Sequence, residues 1–205
     1  MQTVLCEVDQ RGIGRVTLNN PDKHNAFDDA IIGELTAVFS AIADNPAVRV
    51  MLLAATGKSF SAGADLNWMQ RMTNYSYAEN LRDSQALAEM LRVLNFMPQP
   101  TIARVQGAAY GGAVGLISCC DIAIAASAAT FALSEVKIGL LPATISPYVI
   151  NAIGQRAARR YFTTAELFNA QRAQEIGLVS EVVDAEHLDE KIEEVIARLL
   201  GNSPA

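Results

Sequence analysis

Residues Val48–Ala55 are apolar at every position except Arg49. A strand with one wet face alternates apolar and polar residues. A nearly continuous apolar run instead reads as a strand buried on both faces, inside a parallel sheet with a layer on each side. The flanking segments fit that frame. Thr3–Val8 and Ile13–Leu18 are β-rich runs broken by Arg11-Gly12, a hairpin signal. Asp28–Ile42 carries Ile31, Ile32, Leu35, Val38, Phe39 and Ile42 at helical spacing. Leu66–Met72 reads as a short helix and Tyr77–Asn95 as a long one, with Pro98 and Pro100 beyond it. Thr101–Val105 is a strand, Val114–Cys120 a buried helix, and Asp121–Ala126 and Thr130–Leu133 are strands. Ser146–Gly154, Arg156–Phe162 and Ala165–Ile176 read as helical, Val179–Val183 as a strand and Leu188–Leu200 as a last amphipathic helix. Thr56–Ala64 and Gly107–Gly115 read as a loop and a glycine-rich stretch. Strands alternating with helices make this a single α/β domain by pattern.

The chain has 205 residues, of which 51% are hydrophobic and 19% charged, enough apolar surface for a self-sufficient core. Its net charge of −6 and the lack of a basic stripe argue against nucleic acid as a partner. Arg156, Arg159 and Arg160 form the one dense cationic spot and read mainly as a solvated helix face. Three cysteines, Cys6, Cys119 and Cys120, without a CxxC pair, fit neither a disulfide framework nor a zinc site. Reduced thiols imply a cytoplasmic setting. No apolar run is long enough for a membrane span, and the first ten residues lack the pattern of a signal peptide.

Several chemistries are missing from the sequence. It contains no GxSxG elbow, no GxxxxGK[ST] phosphate loop, no GxGxxG and no HExxH, and only two histidines, His24 and His187. Two small-residue loops remain. Gly57–Leu66 leaves the buried strand and enters a helix, and Gly107–Ala113 also opens a helix. Glycine lets backbone N–H groups approach a ligand, and the first N–H groups of a helix point outward with the positive end of its dipole behind them. Facing each other, the loops would make an oxyanion hole from backbone alone. On spacing alone, two tight turns remain the alternative.

The segments LNNPDKHNAF, SFSAGADL, GAAYGGAVGLISCCD and FALSEVKIGLLP, in that order, resemble the crotonase (enoyl-CoA hydratase/isomerase) superfamily over Val4 to about Leu200. SAGADLNWM, GLISCCD and SEVKIGLLPATISP resemble most the methylglutaconyl-CoA hydratase-like branch of leucine breakdown. The resemblance implies a spiral of ββα units with C-terminal helices, assembly as a homotrimer or homohexamer, and an acyl-CoA thioester as substrate, with no permanently bound cofactor and no metal. It places the N–H groups of Ala64 and Gly112 on the thioester oxygen and the Ala62 carbonyl on the adenine amino group. It makes Glu135 the acid–base residue. Apolar neighbours Leu133, Val136 and Ile138 would bury Glu135 in part and raise its pKa. The family's hydratases carry a second glutamate where this chain has Gly115, which has no side chain to move a proton. A water held near the start of the Val114 helix is the expected substitute. Asp65 is expected to cap the next helix and to lie at the substrate site. Trp68 and Met69 either line the acyl pocket or are plain core. Tyr148 is a further candidate at the acyl end, and Lys23 and Lys58 are candidates for the CoA phosphates. The domain is expected to span residues 1–205 and to lack the family's last C-terminal helices. The expected reaction is reversible hydration of a 2-enoyl-CoA. A one-base enoyl-CoA isomerase and a non-catalytic acyl-CoA-binding protein are the alternatives. The carboxylate nucleophile of an aryl-CoA dehalogenase would fall near Ala143, which offers none.

Overall fold

The computed structural model describes residues 2–203. Its strands are sorted between two sheets by a repeated unit. β3 (Val50–Ala55), β5 (Thr101–Val105) and β7 (Ile122–Ala126) join the large sheet. Each is followed within a few residues by a short strand of the small sheet: β4 (Ser59–Ser61), β6 (Ala108–Tyr110) and β8 (Thr130–Ala132). A helical segment completes each unit: α2 (Leu66–Met72) with α3 (Tyr77–Asn95), then α4 (Gly112–Cys119), then α5 (Ser146–Thr164). This is the expected spiral of ββα turns. The hairpin β1 (Val4–Val8) and β2 (Ile13–Leu18) forms one edge of the large sheet, ahead of α1 (Asp29–Ala43). β10 (Glu181–Val183) forms the other edge. The β2-β3-β5-β7-β10 pairings are all parallel.

The apolar run behaves as its composition requires. Every residue of β3 is buried. Met51, Leu53 and Ala55 enter the main core with α1, α3 and α4. Val50 and Leu52 face the other way, onto Leu188, Ile192, Val195 and Ile196 of the last helix, α7 (Leu188–Leu200).

Three short strands depart from the sequence reading. β4 and β6 lie inside stretches read as loops, and β9 (Phe168–Asn169) interrupts the helix expected over Ala165–Ile176. Ala165 ends α5 in a left-handed conformation with φ +49°. Phe168 then pairs with Phe131 of β8, so helix resumes only at α6 (Ala170–Glu175). Segments of two or three residues carry no alternation of their own, and pairing with a distant strand creates them. Gly154, with φ +76°, kinks α5 at the expected boundary between its two helical stretches.

Arg160 pairs with Glu166 on the surface, in keeping with a solvated cationic face. Cys119 is buried and Cys120 half-buried; burial raises both thiols, Cys120 to about 12, so both stay protonated and pack as small apolar groups. Among the described residues, no helix is long and apolar enough to cross a membrane. None of them form a cluster of three or more His, Cys, Asp or Glu that could hold a metal ion.

Candidate active site

The two glycine loops meet at the ends of β4 and β6. Gly63 has φ +83°, and a Cβ there would lie 2.5 Å from the Tyr110 carbonyl oxygen and 3.3 Å from the Gly112 nitrogen. Only glycine allows this close approach. Ala64 forms a parallel bridge with Phe27: the Phe27 N–H donates to the Gly63 carbonyl and the Asp65 N–H to the Phe27 carbonyl, each at 2.9 Å. In that pattern the bracketed residue's own N–H points away from its partner strand. The Ala64 N–H meets no protein acceptor among the described residues. Gly112 opens α4, where the first N–H groups have no intrahelical acceptor, and its N–H is likewise unpaired. The Phe27 ring packs directly on Gly112, since a Cβ there would lie 2.6 Å from Phe27 Cζ.

Glu135 begins the 3₁₀ turn Glu135–Ile138 that follows β8. A Cβ at Gly111 would stand 3.1 Å from Glu135 Oε1, so the carboxylate lies over the residue preceding Gly112. Oε2 is buried without a hydrogen-bond partner. Burial pushes the carboxyl above the ordinary glutamate range, offset in part by a bond from its own backbone N–H.

Ala64, Gly112 and Glu135 line one cavity of about 270 Å³. The rest of its wall is largely apolar and includes Phe27, Trp68, Met69, Met72, Leu87 and Ile145. Glu135 is the one ionisable side chain in that lining. An adjoining apolar groove of about 520 Å³ shares Met69, Met72 and Leu140 with it. Such a space can bind an electrophilic carbonyl on the two N–H groups, hold an apolar chain beside it, and offer one base of raised pKa.

The other expected site residues divide. Trp68 is buried at the cavity wall, and its Nε1 donates to Asp83 Oδ2 at 3.1 Å, so it is both core and lining. Met69 lines both spaces. Asp65 caps α2, its Oδ1 accepting from the Asn67 and Trp68 N–H groups at 2.8 and 3.1 Å. Burial opposes its charge, but the Trp68, Lys23 and Asn67 bonds outweigh that and hold it below the usual carboxylate range. Asp65 does not line the cavity. Lys23 Nζ lies 3.4 Å from Asp65 Oδ2, and the Lys23 side chain is otherwise exposed. Lys58 is exposed on the turn between β3 and β4, and Ala62 is exposed with its N–H donated to the His24 carbonyl. Tyr148 is not brought to the cavity. It sits half-buried on α5, and its hydroxyl feels burial first, then Cys119, Arg92 and Glu89.

Gly115 is closely packed by the residue ahead of α5. A Cβ there would lie 2.4 Å from Ile145 Cγ2 and 2.8 Å from Ile145 Cβ, with Leu91 Cδ2 at 3.7 Å. The space a second glutamate would need is filled by Ile145. Gly115→Ala is therefore expected to destabilise the protein by about 1–3 kcal/mol through overpacking. Combined with Ile145→Ala, it should be less costly than the sum of the two single changes by at least about 0.5 kcal/mol. Denaturant unfolding of the four proteins checks this, and strict additivity would separate the two residues.

Sequence reasoning passed over Phe27, Leu87, Leu140 and Ile145 as lining residues, because they come together from three separate parts of the chain: ahead of α1, on α3, and between β8 and α5. Phe27 closes the LNNPDKHNAF segment, and Leu140 and Ile145 lie within SEVKIGLLPATISP, but membership of a motif did not say which side chains face the cavity.

Comparison with known proteins agrees with this geometry. The sequence profile described as enoyl-CoA hydratase/isomerase matches residues 9–205. The crystal structure of an enoyl-CoA hydratase from Shewanella pealeana superposes with a TM-score of 0.96 at 48% identity, over 99% of this chain and 76% of that one. A crotonyl-CoA hydratase of Syntrophomonas wolfei is 33% identical over 98% of this chain and 76% of its own length. A hydroxycinnamoyl-CoA hydratase-lyase of Pseudomonas fluorescens is 33% identical over 99% and 74%. The chain belongs to the enoyl-CoA hydratase/isomerase family, the crotonase superfamily.

Proposed function

We propose that this protein is an enoyl-CoA hydratase that adds water reversibly across the double bond of a 2-enoyl-CoA. The observation that carries the reading is the pair of unpaired N–H groups, Ala64 and Gly112, opening on a cavity whose one ionisable side chain is the half-buried Glu135. The two N–H groups hold the thioester oxygen and stabilise the negative charge it gains as water adds at C3. The Glu135 carboxylate takes the proton that this water releases. It then returns a proton to C2, and the enolate collapses to the 3-hydroxyacyl thioester. Both transfers fall to one carboxyl, because Ile145 occupies the second position. Lys23, Lys58 and the Ala62 carbonyl are the proposed CoA contacts, and the thioester is substrate rather than a resident cofactor. The family resemblance also supports a trimeric or hexameric assembly in the cytoplasm.

For the acyl group, the resemblance to the leucine-breakdown branch proposes methylglutaconyl-CoA. The cavity lining favours an uncharged group, because it includes no Lys, Arg or His to meet a second carboxylate. Loss of enoyl absorbance across crotonyl-, methylglutaconyl- and longer straight-chain 2-enoyl-CoA tests the choice. The expected kcat/KM for the carboxylated substrate is at least about tenfold lower than for crotonyl-CoA, each ~1.4 kcal/mol of unmet charge being tenfold. The reverse order would assign the methylglutaconyl reaction. An isomerase is the second reading, favoured by the single carboxyl, and it would convert a 3-enoyl-CoA.

A further inference from the structure

The described residues include five buried polar or charged side chains, and four of them, Asn25, Ser59, Ser61 and Asp65, belong to one small region. Asn25 is 2% exposed and sits in a left-handed conformation with φ +53° directly after His24 at φ +51°. Consecutive non-glycine residues in that region are strained, and they persist only where surrounding contacts over-determine them. Here the contacts are explicit. Asn25 Nδ2 donates to the Thr56 and Ser59 carbonyls at 2.8 and 2.9 Å, and Oδ1 accepts from the Asn20 N–H at 2.8 Å. The Asn25 carbonyl accepts from Ser61 Oγ at 2.8 Å, and that same Oγ accepts from the Gly63 N–H at 3.0 Å. Ser61 has no solvent exposure.

This network fixes the N–H groups on either side of Ala64. Ala62 donates to the His24 carbonyl, Gly63 to Ser61 Oγ and Asp65 to the Phe27 carbonyl. Over residues 62–65 the Ala64 N–H alone is left to aim at a ligand. The segment also reaches the second donor, since the Phe27 ring packs on Gly112.

We infer that Asn25 and Ser61 are positioning residues for the oxyanion hole, with Ser61 Oγ the link that sets the direction of the Ala64 N–H. The inference rests on the thioester oxygen being bound by Ala64 and Gly112. Its physical basis is that catalysis by preorganised donors is steep in geometry: a misplacement of about 1 Å costs about 10²-fold. Ser61→Ala leaves both the Gly63 N–H and the Asn25 carbonyl without their partner, so the turn carrying Ala64 relaxes.

The test is isotope-edited infrared spectroscopy of the thioester carbonyl of bound crotonyl-CoA, together with kcat and KM. In the wild type the carbonyl stretch should fall on binding. In Ser61→Ala that fall should shrink and kcat should drop about 10- to 100-fold, with KM within a few-fold. Ser61→Cys, whose sulfur is a weaker donor and acceptor, should lie between the two in both readouts. It carries the same comparison if Ser61→Ala does not accumulate as folded protein. A merely structural role would lower the amount of folded enzyme without changing the carbonyl stretch of the substrate it binds. A folded Ser61→Ala or Ser61→Cys variant with wild-type carbonyl shift and kcat overturns the positioning role while leaving the oxyanion hole intact. Absence of any carbonyl shift in the wild type would overturn the oxyanion reading itself, and the inference with it.

Discussion

Glu135→Gln is expected to lower kcat for 2-enoyl-CoA hydration by about 10²–10⁴-fold while leaving the affinity for the CoA thioester nearly unchanged. The substitution keeps the shape of a group whose Oε2 is buried and whose Oε1 lies over Gly111, and removes only its ability to accept and return a proton. Because burial raises the Glu135 pKa and the base form is the one that activates water, kcat/KM should fall as pH drops through a value above the ordinary glutamate range. Stability should respond in the opposite direction. A carboxyl whose folded pKa is raised favours the fold while protonated and loses that contribution as pH rises through the folded pKa. The Gln variant should therefore gain on the wild type in thermal stability at neutral pH and lose that advantage at low pH. A kinetic acid limb at the ordinary glutamate value, or wild-type turnover by the variant, would remove Glu135 from the reaction.

The second large effect belongs to Gly112, and it needs a paired comparison. Any Cβ at this position approaches the Phe27 ring, so Gly112→Ala measures the steric cost with the N–H still present. Gly112→Pro adds loss of the N–H at the first position of α4, where proline is tolerated by a helix. Relative to the Ala variant, the Pro variant should lose a further ~10²–10³-fold in kcat, the effect of deleting one oxyanion donor. Circular dichroism and thermal unfolding check that both variants keep the fold. Equal kcat in the two would make Gly112 a turn glycine with no hand in stabilising charge.

What the sequence made legible follows from how far each signal reaches along the chain. The double-sided burial of β3 was readable because its own residues supply both faces, Met51 and Leu53 to one core and Val50 and Leu52 to the other. The bounds of α3 were readable because Ser76 and Glu79 form a capping box and Pro98 lies just past its end. β4 and β6 were not, since runs of three residues are too short to show alternation and become strands only by pairing with each other and with β8. The same limit applies at the site. The glycine loops and Glu135 sit in motifs of contiguous residues. The packing of Ile145 on Gly115 joins positions thirty residues apart with no local mark. Tyr148 illustrates the converse. It is close in sequence to cavity-lining Ile145, but the direction of α5 turns it toward the side of Arg92 and Cys119. Asn25 follows the polar run Asn19–His24 and Ser61 lies two residues from Ser59, so nothing local marked either as buried; their hydrogen bonds to distant backbone decide it.

On this mechanism one carboxyl and two backbone N–H groups suffice to add water to an enoyl thioester. Mass spectrometry of the product formed from crotonyl-CoA in ¹⁸O-labelled water reads the oxygen added. The expected product is 3-hydroxybutyryl-CoA carrying one solvent oxygen, formed by the wild type and depleted at least about 10²-fold in rate with Glu135→Gln. Substrate recovered unlabelled from wild-type enzyme that binds it, or a double bond moved without any oxygen gained, would rule out hydration by this site.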